Sequence, residues 1–152
     1  MEQDTLKIQE SHQKFIKEAC ANGIVWGLEK NEEFATSLSD MYENDEGEPI
    51  EMICVWSDKD SALACAKDDW SAHTPMEIPM ADFIEKWCLG MDDDGLMVGT
   101  NFDENLFGTE ADPLELIVEI HEELKRIKKP VRLENYDNLG ELVKEIKTIL
   151  EG

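Results

Sequence analysis

One strand-to-helix passage, Pro49 through Trp70, limits what this chain can fold into more than any other stretch. Ile50, Met52, Cys54 and Trp56 alternate with Glu51, Ile53 and Val55, which predicts a β-strand with one fully apolar face turned inward. The run stops at Ser57-Asp58-Lys59-Asp60. Ser57 is a good N-cap and Asp60 stands where a capping-box acid belongs, so a helix is expected to start at once. Ala62, Leu63, Ala66 and Trp70 then recur at helical spacing. Such a unit needs partner strands on its edges and helices over its face.

The flanking segments supply both. Residues 4–21 read as an amphipathic helix with Ile8, His12, Phe15, Ile16, Ala19 and Cys20 on one stripe, closed by Asn22-Gly23. Ile24 to Leu28 and Phe34 to Leu38 read as a hairpin around Lys30-Asn31-Glu32. Residues 40–49 read as an acidic loop, and Thr74 to Pro79 as an edge strand bounded by prolines. Met80, Phe83, Ile84, Trp87, Cys88 and Met91 form the cleanest helical stripe, and Leu96 to Thr100 a further strand. Trp56 and Trp87 each close an apolar stripe and are expected to be buried. Residues 101–111 read as a polar loop, followed by a helix capped by Asp112 with Pro113 at its first position and stopped by Pro130. Val131 to Glu134 suggests a last short strand. Asn138 with Glu141 resembles a capping box for a terminal helix whose stripe is Leu142, Val143, Ile146 and Ile149. That face is expected to dock on its own domain. A hairpin followed by strand–helix alternation predicts a single α+β domain over 1–152, with a mixed, largely antiparallel sheet of about five strands flanked by helices.

Charge bears on function. The chain has 36 acidic and 14 basic side chains, a formal net charge of −22. Residues 31–124 hold 26 acids against Lys59, Lys67 and Lys86, a net charge of −23, whereas residues 125–152 are mildly basic. Such a field repels nucleic-acid phosphates and anionic lipid and attracts cations or basic proteins. The N-terminus lacks an apolar segment of signal-peptide length, and no stretch approaches a membrane span. Cys20, Cys54, Cys65 and Cys88 are widely spaced in apolar contexts, which reads as buried free thiols in a reducing cytosol.

The chemistry-bearing residues form no motif. Cysteine and histidine spacing predicts no zinc site and no cofactor. Asp92-Asp93-Asp94-Gly95 suggests a calcium loop, but Gly90 and Asn101 would then occupy its first and twelfth positions, where acids are needed. A solvated turn fits better. Gly90, Gly95 and Gly99 lack phosphate-loop spacing. His12 and His121 lie on or beside apolar helix faces. Only His73, in a loop, is placed as a catalytic base would be, and no nucleophile motif accompanies it.

Six segments occur in a telling order: Val25-Trp26-Gly27-Leu28, Val55-Trp56-Ser57-Asp58, Cys65-Ala66-Lys67-Asp68-Asp69-Trp70, Ile78-Pro79-Met80-Ala81-Asp82-Phe83, Trp87-Cys88-Leu89-Gly90-Met91 and Asp94-Gly95-Leu96-Met97-Val98-Gly99-Thr100-Asn101. Together they resemble a bacterial family, domain of unknown function twenty-seven fifty, over roughly residues 15–124, with 125–152 as a basic extension. The resemblance implies a bacterial cytosolic protein and transfers no catalytic or binding residue.

Two functions of different classes fit. One is a non-enzymatic, immunity-protein-like acidic module that binds a basic partner, using Asp45, Glu46 and Glu48 of the acidic loop Asp40–Glu51 together with Asp92, Asp93, Asp94, Asp103 and Glu104. The other is an enzyme or small-ligand binder with Trp56, Trp70 and His73 around a cleft. The sequence favours the first and leaves monomer and homodimer open.

Overall fold

The computed structural model describes residues 2–104 and 107–151; the side chains of residues 2–5, 41 and 69, and of Asp40 at the start of the expected acidic loop, lie outside the described residues. The strands are β1 (Ile24–Lys30), β2 (Glu33–Phe34), β3 (Thr36–Glu43), β4 (Pro49–Trp56), β5 (Thr74–Pro79), β6 (Met97–Thr100) and β7 (Thr109–Ala111). The helices are α1 (Glu2–Asn22), α2 (Lys59–Ala64), α3 (Met80–Asp82), α4 (Leu89–Asp94), α5 (Pro113–Arg126) and α6 (Leu139–Glu151). A π-helix, Phe83–Cys88, joins α3 to α4.

The sheet grows outward from β4. On one edge β4 pairs antiparallel with β1 (Gly27↔Val55) and with β3 (Thr36↔Ile53). On the other edge it pairs in parallel with β6, from Met52↔Met97 to Val55↔Thr100. One edge serves two partners because β2 folds back on β1 through Asn31 and Glu32, with φ of 52° and 69°, a two-residue turn of the type that suits hairpin twist. The chain then crosses at Ala35, which donates to the Leu28 carbonyl (2.9 Å) and accepts from the Cys54 amide (3.0 Å). β5 lines the outer edge of β1, its prolines confined to an edge strand, and β7 pairs antiparallel with β6. The fold is α+β with a mixed sheet. Among the described residues it has seven strands, not about five, and β4 and β6 pair in parallel. The expected loop 101–111 contains β7, β3 narrows the acidic loop to residues 44–48, and residues 131–134 form no strand.

Both faces of β4 are covered, which corrects the expectation of one inward face. Ile50, Met52, Cys54 and Trp56 belong to a smaller core with Leu28, Ala62, Cys65, Trp70, Met97 and Phe102. Val55 points the other way, fully buried beside Val25, Ile78, Val98 and Ala111 in the larger core under α1, α5, α6 and the helical stretch 80–94. A strand with helices on one face and a second apolar layer on the other reads as a near-continuous hydrophobic run. Trp56 is fully buried, whereas Trp87 is only half-buried, its ring edge-on to Phe34 with centroids 4.3 Å apart.

Two further expectations change. The cap of α2 is Asp58, whose carboxylate accepts from the Ser61 amide at 2.7 Å, because Ser57 is buried and otherwise engaged. The helix also stops at Ala64, and Trp70 sits in a separate 3₁₀ turn, Asp68–Trp70, entered through Asp68 at φ 53°. At the C-terminus, Asn138 Oδ1 accepts from the Glu141 amide (3.0 Å), and α6 buries Leu139, Leu142, Val143 and Ile146 on the same chain. Ile149, expected on that stripe, is 63% exposed.

Candidate functional site

Of the residues nominated for a cleft, Trp56 and Trp70 are packed on each other, edge to face at 6.1 Å, and both are buried. The Trp56 indole N–H donates to the Phe102 carbonyl at 2.9 Å, and the Cys65 thiol donates to the same oxygen at 3.2 Å. The two indoles therefore serve the smaller core. His73 is half-buried, and its Nδ1 has no hydrogen-bond partner among the described residues.

A polar junction that the sequence reading missed lies at the carboxyl ends of the parallel strands β4 and β6, the edge where open α/β sheets place ligands. Asn101, held at φ 47°, is its hub. Its backbone N–H donates to the Val55 carbonyl (2.9 Å), its Oδ1 accepts from the Ser57 amide (2.8 Å), and its Nδ2 donates to Ser57 Oγ (3.1 Å) and to the Ser11 carbonyl (3.2 Å). Ser57 Oγ donates in turn to Glu18 Oε1 at 2.7 Å. Next to it, His12 lies 2.7 Å from Thr100 Oγ1 through Nδ1 and 2.9 Å from Glu119 Oε2 through Nε2. Hydroxyl, imidazole and carboxylate in series resemble an acyl-transfer triad. The order of exposure is inverted, however: Thr100 is fully buried and Glu119 faces solvent, so the hydroxyl meets no substrate. The junction clamps α1 onto the strand ends.

This geometry accounts for the Val98-Gly99-Thr100-Asn101 segment. The Phe102 ring folds back over the sheet, so a Cβ on Gly99 would lie 2.9 Å from its Cε1, and one on Gly108 would collide with its Cδ1. Thr100 meets His12 and Asn101 meets Ser57. The signal was present in the sequence, but the two contacts lie 88 and 44 positions away along the chain.

The nominated acids divide between two ends of the sheet. Asn44 shapes the β3–β4 turn, its Oδ1 accepting from the Glu46 (2.8 Å) and Glu48 (3.0 Å) amides, and holds Asp45, Glu46 and Glu48 exposed at the amino end of β4. The parallel register places Asp92, Asp93 and Asp94, in the last turn of α4, at that same end. Among the described residues none of these six carboxylates lies within ion-pair distance of a lysine or arginine. Burial, then the charges of Asp112 and Asp93, push the Asp92 carboxyl up. Asp103 and Glu104 follow the carboxyl end of β6, at the opposite end, where Lys67 reaches Glu104 at 4.0 Å.

The four thiols are free and buried. Burial pushes Cys20 and Cys54 from an ordinary 9.0 up to about 12, with Glu123 adding to the first and Cys65 to the second. Burial also raises Cys65 and Cys88. The folded thiols thus hold their protons where unfolded ones lose them. Their contribution is fully present below pH 9.0 and is lost as pH climbs toward about 12, by up to ~1.4 kcal/mol per pH unit for each thiol. The urea midpoint is expected to fall between pH ~8 and ~10. A midpoint that holds or rises over that interval would contradict the burial.

Among the described residues no group of three or more histidine, cysteine, aspartate or glutamate side chains is placed to hold a metal ion, and no helix is long and apolar enough to cross a membrane. A family model described as Protein of unknown function (DUF2750) matches residues 12–120, a span that includes the clamp from His12 onward and the acidic end and stops within α5. No curated protein matches the chain, and no solved structure matches it.

Proposed function

Because the chain belongs to this family of unknown function, it inherits no activity, and we propose that it is a non-enzymatic bacterial cytosolic module that captures a basic protein on the acidic end of its sheet. One observation carries the reading: the β3–β4 turn and the α4 terminus set six carboxylates at the same end of the sheet, and among the described residues none of them pairs with a lysine or arginine. Burial raises the Asp92 carboxyl first, and the repulsion from Asp112 and Asp93 that adds to it is relieved when a cation docks. Tyr42, 42% exposed two residues before the turn, gives that surface an aromatic anchor of the kind enriched at interfaces. The surrounding −23 segment speeds encounter with a basic partner, an effect that salt weakens.

The test is a pull-down from the native host with the full chain. Capture of a basic protein is expected at low salt, with release at high salt. Neutralising Asp45, Glu46, Glu48, Asp92, Asp93 and Asp94 to their amides should abolish capture, whereas Asp103→Asn with Glu104→Gln should leave it intact. Equal capture by both variants would move the interface elsewhere. The alternative, a small-ligand cleft at Trp56, Trp70 and His73, has the unpartnered His73 Nδ1 in its favour and two indoles engaged in core packing against it.

A further inference from the structure

The opposite pole of α5 carries a different site. Its last turn ends in a Schellman-type exit: the Lys128 amide donates to the Lys125 carbonyl (3.2 Å) and the Lys129 amide to the Leu124 carbonyl (3.0 Å). Between this exit and the start of α6 lies a cleft of about 370 Å³. Leu124, Pro130, Val131 and Leu139 give it an apolar floor. Its polar lining is His121, Lys125, Lys128, Lys129 and Asn138, with no acid, in a chain where acids outnumber bases 36 to 14.

We propose that this cleft binds a small organic anion, one carboxylate or phosphate group on an apolar body, with the anion held by Lys125, Lys128 and the first turn of α6 and the apolar body on the Leu124–Leu139 floor.

Several independent observations converge on it. Lys128 occupies the left-handed position of the exit, φ 57°, where glycine is favoured, so backbone strain is accepted at the residue that brings a charge to the cleft. Among the described residues neither Lys125 nor Lys128 pairs with a carboxylate. Lys129 is anchored differently, its Nζ donating to the Ala21 carbonyl at 2.5 Å. His121 Nδ1 is buried without a hydrogen-bond partner among the described residues. Burial holds that imidazole below its ordinary pKa, Glu122 opposing and Lys125 and Lys147 assisting, and the ring lines the cleft. The thirteen-residue α6 begins beside it, with Gly140 in its first turn; a Cβ there would lie 3.1 Å from Asn138 Oδ1 and 3.9 Å from His121 Nε2. Helix N-termini favour anions. The dipole of α5 favours lysines at its end, but explains neither the apolar floor nor the unpartnered nitrogen.

The experiment titrates the full chain with octanoate, octyl phosphate, 1-octanol and inorganic phosphate, the amphiphiles below their micelle concentrations, and follows backbone amide NMR shifts. Saturable shifts centred on His121, Leu139 and Gly140 are expected with octanoate or octyl phosphate, the tighter of the two identifying the headgroup. Octanol and inorganic phosphate should bind about tenfold or more weaker, the loss of one charge-assisted contact or of the apolar body. Lys128→Gly separates structure from binding. It should raise the melting temperature by ~2–4 °C by relieving the left-handed strain, while weakening the amphiphilic anion about tenfold. No saturable shift with either anion, octanol binding as well as octanoate, or full affinity in Lys128→Gly would each overturn the proposal.

Discussion

Replacing Trp56 with alanine is expected to remove about 3–5 kcal/mol of stability, out of the ~5–15 kcal/mol that domains of this kind possess. The indole is fully buried at the end of β4, edge-on to Trp70, and opposite Trp26 across the β1 pairing. Truncation opens a cavity in the smaller core and removes the donor on the Phe102 carbonyl, leaving the weaker Cys65 thiol as that oxygen's partner. Trp56→Phe keeps much of the volume but not the N–H, so its cost should fall between alanine and wild type. Trp87→Ala should cost less than Trp56→Ala, since Trp87 is half-buried. Urea unfolding measures all three. A Trp56→Ala loss under about 1 kcal/mol would mean that the smaller core does not support the sheet.

The second large effect concerns α6. A chain ending at Lys129 loses Leu133, Leu139, Leu142, Val143 and Ile146, all buried, and uncovers the α5 side that carries Val118, His121 and Leu124. Each such aliphatic contributes about 1.5–3 kcal/mol of burial, so even after the ordering entropy of the helix the deficit is a large part of the total. The shortened chain is expected to melt far lower, to bind hydrophobic dyes and to gain solution mass by association. Unchanged melting and unchanged mass would show that α6 is dispensable.

Periodicity in the sequence was enough to place α1, β1, β4, β5, β6, α5 and α6, because each carries a long apolar stripe or a strong cap such as Asp112, which accepts from the Leu114 and Glu115 amides. It could not show that β4 is covered on both faces, since Ile53 and Val55 read equally well as the half-buried side of an alternating strand. β7 is three residues long and depends on its neighbour β6, and α2 stops because Cys65 turns toward Phe102. Local pattern does not record either contact. The same limit applies to the sites. Charge density selected eight acids, and only the parallel register separates Asp103 and Glu104 from the other six. His12 read as a residue of an apolar stripe because Thr100 and Glu119, which engage it, are 88 and 107 positions away.

The clamp between the first helix and the late strands also governs how the chain folds as it is made. Ser11 and His12 leave the ribosome well ahead of their partners Thr100, Asn101 and Glu119, which follow some ninety to a hundred and seven residues later. At ~5–20 residues per second that interval lasts several seconds, during which the apolar stripe of α1 has no sheet to cover. The β4–β6 pairing spans 45 positions and β1–β5 about fifty, so neither sheet edge closes early. The clamp therefore closes only after Glu119 has emerged, and refolding should proceed on the millisecond-to-second scale of topologies rich in distant contacts.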